Sequence, residues 1–323
     1  MRLVAGSERI VAVEAADPVA GVVRWSPQKS IWIGTMTLAA IVLGPLYVSW
    51  SALALFVVTT GVTLCLGHSI GMHRRLIHGS FQCPRWLEYT CVYLGVLVGM
   101  AGPIGMTRMH DLRDWAQRQP TCHPFLRHGQ GFWADGWQQL HCKVHLDWPP
   151  RFEPEPRLTT AFYTALDRTW MAQQLPWAIL FWVVGGPSWV VWGICARIAV
   201  SVTGHWLVGH FAHREGGQHW IVKGAAVQGY DVKVAGLISM GESWHNNHHA
   251  FPGSAKLGLY EGQVDLGWRI IQLFERLGLA WNIVTPAELP ARPELAWVET
   301  QAAAAAVRLS RPQHAMPLQA RPS

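Results

Sequence analysis

Three histidines stand within five positions of one another in the stretch WHNNHH: His245, His248 and His249. Their spacing is i, i+3 and i+4, so the three side chains share one face if the stretch is helical. Packing and ion pairing explain such a group poorly, whereas neutral imidazole is a good ligand for iron, copper or zinc. The stretch therefore predicts a metal site.

The other histidines are distributed unevenly along the chain. Of the 16 histidines, none lies within residues 1–67 or 250–313. His73 and His78 form an HxxxxH pair, and His110 and His213 each follow a long apolar segment. Because three histidines cannot complete a site for two metal ions, further ligands must come from other segments of the chain.

The composition indicates an integral membrane protein. Half of the 323 residues are hydrophobic, 14% are charged and 19 are tryptophan. No Asp, Glu, Lys or Arg occurs from Ser30 to His73, a run long enough for two membrane spans with a turn near Gly44-Pro45. A second apolar run, residues 169–196, is divided at Gly185-Gly186-Pro187.

These runs predict an all-α membrane protein with four transmembrane helices in two hairpins. The expected spans are 31–49, 51–68, 170–184 and 188–208. Residues 86–107 are expected to form an interfacial helix, because a further span would separate the histidines across the membrane. The remaining segments are expected to form a cytosolic helical cap that carries the histidines.

Basic residues beside the apolar runs set the expected orientation. They follow the positive-inside pattern, which places the histidine segments and both termini on the cytoplasmic side of the cell (inner) membrane. The net charge of +6 is thereby explained, and no nucleic-acid partner is expected. The first residues do not resemble a cleaved signal.

The expected domain organisation has three parts. Residues 1–28 form an N-terminal cytosolic tail, residues 29–285 the membrane domain, and residues 286–323 a disordered tail rich in proline and alanine. Arg197 lies inside the fourth apolar run, where it is either functional or extended toward the lipid headgroups.

Four stretches carry a resemblance to a known family. HRRLIH (73–78), HDLRDW (110–115), WLVGHFAH (206–213) and GESWHNNHH (241–249) resemble the histidine boxes of integral-membrane fatty acid desaturases of the acyl-CoA desaturase type. The resemblance covers about residues 30–285. It implies two iron ions held by histidines, O2 as co-substrate, and removal of two hydrogens from a fatty acyl chain.

The resemblance also implies roles for individual residues. It assigns as metal ligands His73, His78, His110, His213, His245, His248 and His249. Glu242 and Asn246, within the last box, are expected to orient ligand imidazoles. Arg108 matches an arginine near the acyl headgroup.

The second box departs from the family pattern HxxHH, because Arg113 and Asp114 occupy the places of two histidines. Arginine only donates hydrogen bonds, so Arg113 cannot bind a metal, whereas the Asp114 carboxylate can. Alternatively, Arg113 forms an ion pair with Asp111 or Asp114.

Other side chains are candidates to replace the missing ligands. They are His68, His123, His128, His141, His145 and His210. Asp135, in ADGW, stands where the family often has a histidine. A site that holds fewer metal ions is the remaining interpretation.

The expected partners are a fatty acyl substrate, membrane lipid and a separate electron donor, either a ferredoxin, a rubredoxin or a cytochrome. The chain has no CxxC cluster motif and no GxGxxG nucleotide motif to supply electrons itself. Two alternatives to desaturation stay open: a related membrane di-iron hydroxylase or oxygenase of lipids, and a non-enzymatic metal or haem protein.

Overall fold

The computed structural model describes residues 9–11 and 13–298, and this part of the chain is mostly helical, as predicted. Short strands, which an all-α fold does not include, form three antiparallel pairs. The strands are β1 (Ile10–Val11) with β4 (Arg151–Phe152), β2 (Gly21–Trp25) with β3 (Cys142–Leu146), and β5 (Trp220–Val222) with β6 (Leu295–Trp297).

The first hairpin consists of α1 (Pro27–Leu43) and α2 (Trp50–Val62). Each helix begins after a serine, Ser26 or Ser49, whose side chain accepts a hydrogen bond from a backbone N–H of the first turn. Large apolar side chains of both helices are exposed, which is typical of helices that face lipid.

The second helix continues directly into a π-helix, Thr63–Ile77, which is almost entirely buried. Here α3 (Arg85–Leu97) packs along it at very short range. A Cβ atom on Gly67 would lie 2.4 Å from the backbone nitrogen of Gly95. Glycine therefore permits the close approach of the two helices.

Residues 86–107, which are expected to form an interfacial helix, contain nearly all of α3, a break at residues 98–102 and the start of α4 (Pro103–Arg118). Helix α4 carries His110. One face of α3 is buried against the π-helix and against α6 (Ala161–Thr169). The burial explains the apolar composition of the segment without a further membrane span.

The second hairpin turns at Gly186. The hairpin consists of α7 (Gln174–Val190), a π-helical turn (Val191–Ala196) and α8 (Arg197–Ala212), which follow one another without a gap. Within α7, Gly186 has φ +64°. That conformation is cheap only for glycine and reverses the chain direction. Phe181 then packs against Ile194 and Ile198 on the returning helix.

Two helices are long and apolar enough to cross a membrane, Trp50–Ile77 and Gln174–Ala212, and the second includes the turn at Gly186. The four expected spans coincide with α1, α2, α7 and α8. Their passage through a bilayer remains a prediction.

The turns of the two hairpins lie together at one end of the molecule. Ser49 Oγ and Ser188 Oγ are 3.1 Å apart, and Trp189 Nε1 donates a hydrogen bond to Ser51 Oγ at 3.1 Å. His78 and His213 follow the other ends of these hairpins, so both hairpins present histidines at the same end.

Parts of the two expected tails are ordered. β2 pairs over five residues with β3, and β6 pairs with β5, so residues 21–25 and 295–297 belong to the body of the protein. The proline- and alanine-rich composition did not indicate these pairings, because the partner strands lie far away in the sequence. Residues 299–323, with the AAAAA stretch, lie outside the described residues.

The remaining elements form the cap over the histidine end. They are α5 (Phe132–His141), α9 (His245–Ala250), α10 (Leu266–Arg276) and two 3-10 turns, Lys233–Ala235 and Pro286–Glu288.

Candidate metal centre

Seven of the histidines predicted to bind metal gather into two clusters. Within each cluster the nearest imidazole nitrogens lie within 4.8 Å of one another. The first cluster, cluster A, contains His73, His78, His110 and His248. The second, cluster B, contains His213, His245 and His249.

The π-helix explains the HxxxxH spacing in cluster A. Its hydrogen bonds run from residue i to residue i+5, as in the bond from His78 N to His73 O at 3.0 Å. Residues five apart therefore lie nearly one above the other. The rings of His73 and His78 are 4.7 Å apart, and their Nε2 atoms are 3.2 Å apart.

The nitrogens of cluster B are as close. His245 Nε2 lies 3.1 Å from His213 Nε2 and 3.1 Å from His249 Nε2. His213 and His249 thus both face a single nitrogen, which has at most one proton to donate when the ring is neutral.

Both donor sets fit a transition-metal ion. Two ligands at right angles, each about 2.1 Å from a metal, are about 3.0 Å apart. The observed separations of 3.1 and 3.2 Å match this geometry. The all-imidazole donors suit iron, copper or zinc better than magnesium or calcium.

The histidine triplet is neutral at neutral pH. Burial lowers the pKa of His245 and His248 well below the usual 6.5, and burial lowers the pKa of His249 to about 4. Neutral imidazole has a free lone pair, which is the form that binds metal.

Helix α9 is only six residues long and is held from both sides by its asparagines. Asn246 accepts hydrogen bonds from the backbone of His219 and Trp220 and donates to Trp220 O and Gly229 O, all at 2.8–2.9 Å. Asn247 donates to Leu257 O at 2.8 Å. In the described structure Asn246 therefore positions the helix backbone, and it makes no hydrogen bond to a ligand imidazole.

Glu242 lies beside the His73 imidazole of cluster A. Its Oε2 atom is 2.6 Å from His73 Nδ1, although the angle departs from that of a regular hydrogen bond. Its Oε1 atom accepts a hydrogen bond from Ser69 Oγ at 2.6 Å. Burial raises the pKa of Glu242, but His73 and Arg74 lower it further, so the carboxylate is ionised.

Asp114 lies one turn after His110 on α4 and belongs to neither cluster. Burial raises its pKa, but the nearby imidazoles of His110 and His249 and the Arg118 guanidinium lower it overall. His110 belongs to cluster A and His249 to cluster B, so the carboxylate is within electrostatic range of both. Its one ion pair among the described residues is with Arg118, at 3.3 Å.

The Arg113 side chain makes its hydrogen bonds to residues outside both clusters. It donates hydrogen bonds to His128 Nε2 and to Gln139 Oε1, the latter at 2.9 Å. The alternative of an ion pair with Asp111 or Asp114 is wrong, because Asp111 pairs with Arg9 at 2.7 Å and Asp114 with Arg118. The sequence could not indicate that Arg9 pairs with Asp111, since Arg9 lies in the expected tail.

A third group of potential ligands consists of His128, Asp135 and His210. Each residue is a possible substitute ligand by its sequence position, but the sequence alone does not predict that the three meet. Of the other substitutes, His68 lies 4.9 Å, ring to ring, from His205, and His141 is 3.0 Å from Ser30 Oγ. None of these candidates (His68, His123, His141 and His145) belongs to cluster A or cluster B.

Arg108 is exposed on α4, and no hydrogen bond or ion pair of its side chain occurs within the described residues. Its proposed contact with an acyl headgroup remains a prediction.

Comparison with known proteins identifies the family. The profile of the fatty acid desaturases matches residues 48–257, which include all seven clustered histidines. The chain belongs to the fatty acid desaturase family. It is therefore an oxidoreductase that desaturates fatty acyl chains.

Several named relatives match most of the desaturase. An sn-1 stearoyl-lipid 9-desaturase of Anabaena variabilis is 34% identical over 263 residues, covering 78% of this chain and 93% of the relative. An sn-2 palmitoyl-lipid 9-desaturase of Nostoc sp. (strain 36) is 33% identical, covering 76% and 86%. An acyl-CoA 5-desaturase of Anemone leveillei is 30% identical, covering 81% and 84%.

Proposed function

We propose that the desaturase holds two iron ions, one in each histidine cluster, and uses O2 to introduce a double bond into a fatty acyl chain. The observation that carries this proposal is the pair of imidazole clusters with mutually facing Nε2 atoms. Two iron ions there would supply the O2 activation that removes hydrogen from an unactivated C–H bond. Removal of two hydrogens converts –CH2–CH2– to –CH=CH– and yields two electrons and two protons.

The reaction needs electrons from outside the chain. A separate donor supplies two further electrons, and with two protons from solvent the O2 is reduced to two molecules of water. We propose a ferredoxin, rubredoxin or cytochrome as this donor, because the sequence has no motif for a redox cofactor of its own.

The chain's own residues prepare the ligand set. Burial keeps the imidazoles of His245, His248 and His249 unprotonated, so no proton must be displaced when metal binds. We assign the Glu242 carboxylate, 2.6 Å from His73 Nδ1, as the group that orients this ring and directs its Nε2 lone pair toward His78. We assign Asp114 as a carboxylate ligand that completes the set in place of a histidine.

We propose an acyl group carried on a membrane lipid, with the double bond at position 9. Support comes from the names of two relatives, both lipid 9-desaturases, with 34% and 33% identity. Arg108, exposed on α4 two residues before His110, is the proposed contact for the polar end of that lipid.

We further propose that α1, α2, α7 and α8 span the inner membrane and that the histidine clusters lie on its cytoplasmic side. Exposed apolar side chains on these helices support the spans, as do the hairpin turns that meet at the end opposite to His78 and His213. The basic residues near the histidine end support the orientation.

Product analysis tests this function. The desaturase is expressed in cells that lack a 9-desaturase, with His248→Ala as the inactive control, and the fatty acids are analysed by gas chromatography and mass spectrometry. We expect new monounsaturated acids with the double bond at carbon 9, found first in intact membrane lipids. Hydroxylated acids would instead support the alternative of a lipid hydroxylase, and a haem absorbance band in the purified protein would contradict the di-iron proposal.

A further inference from the structure

The third polar group is fully buried and centred on one carboxylate oxygen. His128, Asp135 and His210 are each at most 4% exposed. Asp135 Oδ2 accepts hydrogen bonds from His128 Nδ1 at 2.9 Å, from His210 Nδ1 at 2.8 Å and from Trp206 Nε1 at 2.8 Å. The group joins α5, α8 and the segment before α5.

This group is a hydrogen-bonded network rather than a third metal site. With its proton on Nδ1, His128 donates to Asp135 and its Nε2 accepts from Arg113. A guanidinium at this position opposes the binding of another cation beside it. All polar atoms of the His128 ring are thus already paired.

The network brings together two charges of opposite sign, a buried carboxylate and a partly buried guanidinium. Arg113 and Asp135 lie on α4 and α5, and the His128 ring bridges them. Gln139 contacts both ends: it accepts from Arg113 at 2.9 Å, and its amide lies 3.4 Å from Asp135 Oδ1. Removing one of two such charges leaves the other buried without compensation, whereas removing both does not.

The same ring touches cluster B. The His128 and His213 rings are stacked with centroids 5.3 Å apart and an angle of 9° between their planes. Gly209 permits this arrangement, because a Cβ there would lie 3.1 Å from His128 Nε2. His213 Nδ1 lies 2.7 Å from Gly209 O, so the opposite edge of the ring, with Nε2, faces His245.

We propose that Arg113, His128 and Asp135 are positioning residues that hold the His213 imidazole in the orientation needed to bind the cluster B metal. This inference rests on the proposed two-metal centre. Asp135 fixes the His128 ring, Arg113 neutralises the charge of Asp135, and the His128 ring supports one face of His213.

Metal titration of the full-length protein in detergent micelles tests the proposal, with Co2+ as the probe. Its visible spectrum reports the coordination of each site, and its binding is measured in the wild-type protein and in His128→Ala. We expect two Co2+ ions per chain in the wild type. In His128→Ala one ion should bind as before, while the affinity for the second falls by about 10- to 100-fold, as for loss of other groups that orient a ligand.

Charge-neutralising variants give an independent measurement. Arg113→Gln and Asp135→Asn should each weaken the second Co2+ site more than the double variant does, because the double variant leaves no unpaired buried charge. His141→Ala, which removes a hydrogen-bonded imidazole of α5 outside the network, is the matched control and should bind two Co2+ ions like the wild type.

The outcomes separate this inference from the proposed function. A wild-type protein that binds fewer than two Co2+ ions contradicts the two-metal centre itself. A wild-type protein with two ions and a His128→Ala variant with unchanged affinity and spectrum overturns the positioning role. If His128→Ala does not fold, the charge variants decide, and additive losses in the double variant overturn the proposal.

Discussion

Glu242 contacts the edge of the His73 ring that faces away from the other imidazoles of cluster A. Its carboxylate, held by Ser69, is 2.6 Å from Nδ1, and the pair sets the direction of Nε2. This is the arrangement by which carboxylates orient histidine ligands and raise their basicity. At the residue scale, we expect the metal affinity of cluster A to depend on a group outside the proposed ligand set.

Glu242→Gln should reduce the metal affinity of cluster A by about 10- to 100-fold and leave cluster B unchanged, because an amide is a weaker acceptor for the Nδ1 proton. Equilibrium dialysis with metal analysis measures both sites. Glu261→Gln, at an exposed position of the cap, is the control and should retain both ions. Equal affinity in both variants would show that Glu242 does not orient His73.

Asp114→Ala should lower the iron content of the purified desaturase below two per chain and abolish most desaturation, because the carboxylate is proposed to complete the ligand set. Asp114→His should retain the iron, since imidazole can replace the carboxylate. Arg118→Met, which removes the ion pair but keeps the carboxylate, is the matched control. Full iron content and activity in Asp114→Ala would make Asp114 a structural residue.

At the scale of secondary-structure elements, Arg197 connects the second hairpin to α3. It is 2% exposed and donates hydrogen bonds to Gly193 O at 2.7 Å, to Gln174 Oε1 at 2.6 Å and to Leu97 O. Leu97 is the last residue of α3, where the helix leaves carbonyl groups without intrahelical partners. The arginine therefore caps α3 from a neighbouring helix, and it does not extend toward lipid headgroups.

Arg197→Met should lower the thermal stability of the desaturase, because Gly193 O and the Gln174 amide oxygen lose a buried donor and Leu97 O keeps only the bond from the Gln174 amide. Each such loss costs about 1–3 kcal/mol. Thermal unfolding in detergent, followed by circular dichroism, measures the effect. Arg168→Met, at an exposed position of α6, should unfold at the wild-type temperature; an equal midpoint for Arg197→Met would contradict the capping role.

At the scale of the whole molecule, the clusters place many imidazoles in a water-poor interior. Burial lowers the pKa of His245, His248 and His249, so the folded chain does not take up protons there until the pH is well below 6.5. The unfolded chain takes them up near pH 6.5. These histidines therefore do not change the free energy of unfolding above that pH, and they lower it below that pH.

The free energy of unfolding of the metal-free desaturase should fall as the pH decreases from about 6.5 toward 4. Each histidine contributes a slope of up to about 1.4 kcal/mol per pH unit. Chemical denaturation at a series of pH values measures this dependence. Bound metal should steepen it, because protons compete with metal for the imidazoles. A metal-free stability that is constant over this range would contradict the lowered pKa values.

The histidine pattern of the sequence predicts a metal site, and its apolar runs predict the helical character of the chain. Imidazole is a possible metal ligand by its chemistry alone. One helical turn is enough to bring His245, His248 and His249 together, because they are three and four residues apart. Apolar run length likewise located the four helices of the two hairpins. Such features are local, so they can be read without knowledge of distant contacts.

The division of the seven histidines into two clusters and the contacts of Arg113 are visible only in the folded chain. The π-helical winding that aligns His73 with His78, the pairing of β2 with β3, and the bridge from Arg113 through His128 to Asp135 all depend on packing between elements far apart in the sequence. A buried charge is costly unless it is paired, and its partner can come from any part of the chain that packs beside it. The partner is therefore a property of the packed molecule and not of the neighbouring residues.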